Sequence, residues 1–140
     1  MTGPARRQLV LDSSALVALF TDGGKLGAWV AETITDAALA APHRALFEAA
    51  NILRREQLRG DIDATAATLA HQDLLAIPLQ LWPYGLLAER AWQLRENVTA
   101  YDSAYVALAE MLEAPLVTLD RRLAQASGVR CPVQLPPDSS

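Results

Sequence analysis

Apolar positions along the chain fall into two kinds of stretch: short, nearly unbroken runs, and longer segments in which apolar residues recur every three or four positions. Two of the short runs, Leu9-Val10-Leu11 and Leu116-Val117-Thr118-Leu119, end on aspartates, Asp12 and Asp120. An apolar run this short suits a strand buried on both faces, the parallel strand of an α/β sheet. The pattern predicts strands over Gln8–Leu11, Ala38–Ala41, Pro78–Trp82, Leu116–Leu119 and Val133–Leu135. Helices are expected over Ser14–Phe20, Leu26–Ile34, His43–Arg59, Asp63–Leu75, Tyr84–Glu96, Ala100–Glu113 and Arg121–Ala126. Asp22-Gly23-Gly24 breaks the first helix, Pro42 sits in the first turn of the third, and Gly60 stops it. Strands alternating with helices predict an α/β fold, a three-layer sandwich with a central parallel sheet flanked by helices.

Composition narrows the class. A chain of 140 residues is read as one domain, able to bury roughly 68 to 70% of its unfolded surface. Although 51% of residues are hydrophobic, no apolar run approaches the ~20 residues of a membrane span. Met1–Gln8 passes straight into the Asp12 motif without a secretory pattern, so a cytoplasmic protein is expected. The Pro-rich end, Pro132–Ser140, reads as a frayed tail after the last strand. Trp82, Trp92 and Tyr105 fall on faces expected to look inward, where packing is their role.

Cys131 is the single cysteine, and His43 and His71 are the only histidines, neither with a second ligand at zinc spacing. Any metal is therefore a hard cation on oxygen ligands, with magnesium or manganese the best match. A formal charge of −4 argues against nucleic-acid binding by bulk attraction. Eleven arginines stand against the single Lys25. Arginine matches phosphate oxygens bidentately, but GC-rich coding would give the same bias.

Ligands of parallel sheets bind outside the carboxyl ends of the strands, which is where Asp12 and Asp120 would sit. Each also reads as an ordinary helix N-cap. Glu48 interrupts the most apolar part of its helix, either as a functional acid or as the start of a wet face paired with Arg44. Asp102 follows Thr99 at capping-box spacing, yet it is also in line with Val106, Ala109 and Leu112 on the inward stripe.

With Asp12, Glu48, Asp102 and Asp120 in this order, and with the strings Leu-Asp-Ser-Ser-Ala-Leu, Tyr-Asp-Ser-Ala-Tyr-Val-Ala-Leu-Ala-Glu and Leu-Val-Thr-Leu-Asp-Arg-Arg-Leu around three of them, the chain resembles the PIN-domain ribonucleases. More narrowly, it is similar to the VapC toxins of toxin–antitoxin pairs, over about Leu9 to Pro136. The resemblance implies that the four acids converge at the carboxyl ends of the sheet and bind Mg2+ or Mn2+ to cleave RNA. Asp12 and Asp102 are the first choice as direct ligands, with Asp120 and Glu48 holding waters or a second ion. Thr118 is a candidate to orient a water, although its β-branch equally suits a strand. Two divalent ions would bring the formal charge from −4 to 0, leaving Arg54, Arg55, Arg59, Arg121 and Arg122 as guides for a phosphate backbone or as plain surface residues. The implied partners are an RNA substrate of the tRNA or rRNA class, a VapB-like antitoxin, and a second copy in a homodimer.

Other readings remain: a PIN nuclease of RNA maturation, and a non-catalytic module whose acids only cap helices. A receiver-like domain would need a rim lysine, and Lys25 lies in a loop; a haloacid-dehalogenase-like phosphatase would need an acid where Ser14 stands.

Overall fold

The apolar runs pair as five parallel strands in one sheet, of order β3-β2-β1-β4-β5. The computed structural model describes residues 6–138. Along the chain the elements are β1 (Gln8–Leu11), α1 (Ser13–Thr21), α2 (Lys25–Thr33), β2 (Ala38–Pro42), α3 (Arg44–Leu58), α4 (Ala64–Ala76), β3 (Leu79–Trp82), α5 (Ala88–Gln93), α6 (Ala100–Leu112), β4 (Leu116–Val117), α7 (Arg121–Gln125) and β5 (Val133–Gln134). The central β1 is buried over Leu9, Val10 and Leu11, as an unbroken apolar run requires of a strand covered on both faces.

Helices flank the sheet. α6 crosses β1, β2 and β4 and carries α5 on its back, while α1 packs with α2, α3 and α4. Seven consecutive residues of α6, Ser103–Ala109, are buried, so this helix is enclosed nearly all round. Small residues let the layers approach: Ala15, Ala45, Ala49 and Ala109 are fully buried between larger Leu and Val side chains.

The order of strands positions the site. From β1 the chain moves outward through β2 and β3 on one side, then returns to add β4 and β5 on the other. The reversal therefore falls between β1 and β4, where the ends of strands diverge and leave a crevice. The two are in register at Val10↔Leu116 and Leu11↔Val117. The Asp12 N–H donates to the Val117 carbonyl at 3.2 Å, which sets Asp12 beside Thr118 at the carboxyl edge.

Several expectations need correction. Tyr84–Glu96 is not one helix: a 3₁₀ turn covers Tyr84–Leu86, α5 spans only six residues, and the chain then folds back as Val98 N–H donates to the Leu94 carbonyl. Gly85 near its start weakens a continuous helix there. Pro42 ends β2 instead of opening α3; the β1–β2 ladder stops at Val10↔Ala40, so the missing N–H of Pro42 deprives β1 of nothing. β4 is two residues long, Leu116–Val117, and not four as expected, although the Thr118 N–H still donates to the Gln134 carbonyl at 3.2 Å. Trp92 is 64% exposed, on the outer side of the short α5, with the Arg95 guanidinium 4.6 Å over its ring. The stretch from Pro132 is tied down as far as Asp138: Arg121 donates to the Pro136 carbonyl at 2.9 Å and pairs with Asp138 at 2.8 Å. Met1–Ala5 and the last two positions of the expected tail lie outside the described residues. Among the described residues no helix is long and apolar enough to cross a membrane.

Candidate active site

Asp12 caps α1 and is buried at the crevice between β1 and β4. Its Oδ1 accepts the Ala15 N–H at 3.0 Å and the Ser14 hydroxyl at 2.6 Å, while Oδ2 accepts the Thr118 hydroxyl. The capping role and the site role thus coexist on one side chain. Three donors use three of the roughly four acceptor positions of a carboxylate, leaving one on Oδ2. Burial pushes the Asp12 carboxyl above its ordinary range, against these three hydrogen bonds, and the nearby Asp102 charge adds to the rise.

Thr118 is fully buried, and its hydroxyl also accepts the Asp120 N–H at 3.0 Å. This side chain is therefore committed to the protein, steering the Asp12 carboxylate and the Asp120 backbone, where the sequence reading has it orienting a water. Ser14 behaves likewise: it donates to Asp12 and accepts the Leu119 N–H at 3.1 Å, bridging α1 to the end of β4. The two hydroxyls lock neighbouring strand ends around one carboxylate.

Asp102 lies in the first turn of α6, whose cap, Thr99, accepts the Asp102 N–H at 3.3 Å. Its carboxyl is half-buried and shifted upward by burial, with Asp120 raising it further and Arg122 and Thr99 working the other way. Asp120 caps α7 through the Arg122 N–H and holds the Arg122 guanidinium at 3.1 and 3.2 Å. That hydrogen-bonded fork lowers the Asp120 pKa. Asn97, Thr99, Asp102, Asp120 and Arg122 enclose a recess of about 200 Å³.

Glu48, one turn into α3, is half-buried, and its Oε1 accepts the Tyr105 hydroxyl at 2.8 Å. Its carboxyl too is raised, first by burial and then by Asp102, the Tyr105 bond opposing. Arg44 does not take up Glu48; its guanidinium stacks 4.2 Å from the centre of the Tyr101 ring. Tyr105, like Ser14, is a residue of the site that the sequence alone does not mark. It is buried as expected of core packing, but its hydroxyl reaches the site, and burial beside Glu48 drives its own pKa upward. Its place at i+3 from Asp102 on the same helix was the available signal.

The sheet edge thus brings Asp12, Glu48, Asp102 and Asp120 close enough to perturb one another's titration. It does not pack them as tightly as the resemblance implies: among the described residues no three His, Cys, Asp or Glu side chains stand close enough to hold an ion as they are. Tyr105 draws on Glu48, Arg122 on Asp120, and Thr118 with Ser14 on Asp12, so three of the four acids are already engaged by side chains of the protein. The donor set still fits a hard divalent cation. Every candidate donor is a carboxylate oxygen, and Mg2+ usually takes one or two carboxylates and fills its remaining positions with water and substrate oxygens.

A model of the PIN domain matches residues 9–129. The VapC ribonuclease Mb0985 of Mycobacterium bovis is 38% identical over 130 residues, covering 92% of this chain and 98% of that one. The crystal structure of Mycobacterium tuberculosis VapC20, described as a toxin that cleaves the sarcin–ricin loop, superposes with a TM-score of 0.64 at 16% identity, over 87% of this chain and 96% of the other. VapBC2 of Rickettsia felis, solved bound to a DNA fragment of its promoter, gives 0.60 at 12% identity over 91% and 98%. The two structures share the fold; the match along nearly the full length of a curated relative, on a sheet whose four acids meet at one edge, places the chain in the VapC ribonuclease family of PIN-domain proteins.

Proposed function

We propose that this VapC-family ribonuclease is the toxin of a type II toxin–antitoxin pair in the cytoplasm, an endonuclease that cuts RNA phosphodiester bonds with Mg2+ or Mn2+. The observation that carries the reading is the meeting of Asp12, Glu48, Asp102 and Asp120 at the β1–β4 crevice, three of them with carboxyl groups raised by burial and mutual charge. Asp12 through Oδ2, together with Asp102, would hold the ion, and Asp120 and Glu48 would reach it through water or hold a second one. When bound, such an ion offsets the negative charge that grows on the phosphodiester and makes water acidic enough to attack at neutral pH.

The chain's own residues divide the remaining work. Ser14 and Thr118 fix the orientation of the Asp12 carboxylate and leave one acceptor position on Oδ2 for the ion. Tyr105 holds Oε1 of Glu48, leaving Oε2 to take a proton from the attacking water, and the raised pKa improves Glu48 as a base. Arg122, exposed and already at the rim, can leave Asp120 for a phosphate oxygen.

The proposed antitoxin is a VapB-like chain with a segment that folds on binding. A groove of about 860 Å³ between α2 and the C-terminal segment, lined by Leu26, Trp29 and Leu119 with Lys25 and Arg121, offers it apolar contact and charge near the crevice. Purified protein should cleave a mixed tRNA and rRNA preparation with Mn2+ and not in a chelator. The product of the adjacent upstream gene should block that cleavage and restore growth on co-expression. A protein that leaves all RNA intact with either metal, or that is harmless when induced alone, overturns the reading.

A further inference from the structure

Beside the acids lies a feature that cleavage chemistry uses only at its edge. Between the start of α3 and the start of α6 opens a largely apolar cavity of about 490 Å³, a size that takes a small organic group. Phe47, 76% exposed, Tyr84, 49%, and Tyr101, 51%, present their rings to it. Three exposed aromatic side chains around one recess are an unusual surface for a soluble protein. Arg44 already lies with its guanidinium over the Tyr101 ring. Glu48 and Tyr105, the hydrogen-bonded pair at the edge of the acid site, line the same cavity.

We propose that this aromatic recess is a base-stacking subsite: it seats one unstacked base of a single-stranded RNA, next to the phosphate presented to Asp12 and Asp102. The inference rests on the ribonuclease reading above and adds how the substrate is gripped. Continuity decides the occupant first. Glu48 belongs to both the recess and the acid site, so a strand held at the acids runs on past Phe47 and Tyr101. Charge decides it next. Glu48 is the one acid lining the recess, and Arg44, which also lines it with its guanidinium over one face of the Tyr101 ring, supplies the cation for the backbone phosphate of a nucleotide stacked on the open faces. Single-stranded RNA is gripped in this way in general, its splayed bases stacked on aromatic rings and guanidinium planes. Selection by an unpaired base follows, because a base held in a duplex cannot enter the recess.

The test uses a 12-nucleotide single-stranded RNA of mixed sequence carrying 2-aminopurine at one position, moved along a series, with full-length protein in a chelator so that nothing is cut. At one position the fluorescence should be quenched on binding. Phe47→Ala and Tyr101→Ala should abolish that quench and weaken binding about tenfold, the size of one lost base stack, while Tyr101→Phe retains both. With Mn2+ present, the same alanine variants should raise KM about tenfold and leave kcat nearly unchanged. An abasic nucleotide at the quenched position should weaken the wild type and leave Tyr101→Ala unaffected. If no position is quenched, or if the alanine variants bind as the wild type does, the subsite is absent, while wild-type cleavage would still support the ribonuclease reading. If the wild type quenches but never cuts, that reading fails and the stacking site stands. If the variants instead convert a dimer to a monomer in sedimentation without altering RNA binding, a second copy fills the recess and the proposal is wrong.

Discussion

Asp12 is at once a helix cap, the centre of a buried hydrogen-bond network and a site acid, so its substitutions must be separated from those of its neighbours. Asp12→Asn and Asp102→Asn should each abolish divalent-dependent RNA cleavage with circular dichroism unchanged; wild-type rates in either would remove that acid from the site. Their stabilities should differ. Asp102 lies against the negative charges of Asp12, Glu48 and Asp120, so Asp102→Asn in a chelator should melt higher, by about 3 °C for each ~1 kcal/mol of repulsion relieved. A clearly lower melting temperature would mean that Asp102 is a structural cap. Asp12→Asn exchanges an acceptor for a donor opposite the Thr118 hydroxyl and should gain less or lose. Ser14→Ala and Thr118→Val should leave the fold intact and raise the Mn2+ concentration needed for half-maximal cleavage about 10- to 100-fold, the usual cost of removing a support behind a metal ligand. The four acids are legible because a charge stands out against an apolar pattern: Asp12 and Asp120 end apolar runs, Glu48 interrupts an apolar helix, and Asp102 is in line with an inward stripe. Ser14 and Tyr105 are not, since a serine after a cap and a tyrosine in a core stripe are commonplace until the β1–β4 pairing and the α3–α6 contact bring their hydroxyls to the acids.

The packing of α1 against α2 depends on one residue that the apolar pattern does not mark. Gly27 is buried in α2, and a Cβ added there would lie 1.9 Å from the Asp22 carbonyl and 3.0 Å from that of Ala18, both backbone atoms that cannot swing aside. Asp22 further ties the two helices through Oδ1, which accepts the Gly24 N–H at 2.7 Å and the Gly27 N–H at 3.3 Å. Gly27→Ala should therefore destabilise by about 1–3 kcal/mol in urea unfolding, as overpacking does, although alanine is the better helix former. A stabilised variant would show that the two helices separate freely. Long periodic helices such as α3, α4 and α6 were read nearly to their ends because caps and stops agree with the apolar spacing; Gly60, at φ 82°, ends α3 where a left-handed residue is required. α5 and the ends of β2 and β4 were misread for a shared reason. Their limits are imposed by tertiary pairing and packing, which local propensity does not contain.

The crevice acids couple cleavage to the stability of the fold. Asp12, Glu48 and Asp102 have folded-state pKa values above their unfolded ones, so the stability linked to them is present below about pH 4 and is lost as pH rises through the folded values. Asp120, held by Arg122, and Glu110, held by Arg90 against the effect of its burial, act oppositely: their contribution is lost as pH falls. As pH falls the crevice acids therefore take up protons before the acids of the Arg pairs do, and of two pH values, 5.5 and 8, metal-free protein should melt higher at the lower one. A divalent ion binds the ionised carboxylates and competes with protons, so it should invert that order. At a hundred times its Kd it would contribute about 2.7 kcal/mol, a rise on the order of 5–10 °C for a chain of this size. Differential scanning calorimetry with Mn2+ and with chelator at the two pH values gives the four melting temperatures. The rise with Mn2+ should be larger at pH 8 and absent in both Asp12→Asn and Asp102→Asn. An equal rise in all three proteins would place the ion away from the crevice, and a rise greater at pH 5.5 would mean that ionised carboxylates do not hold it.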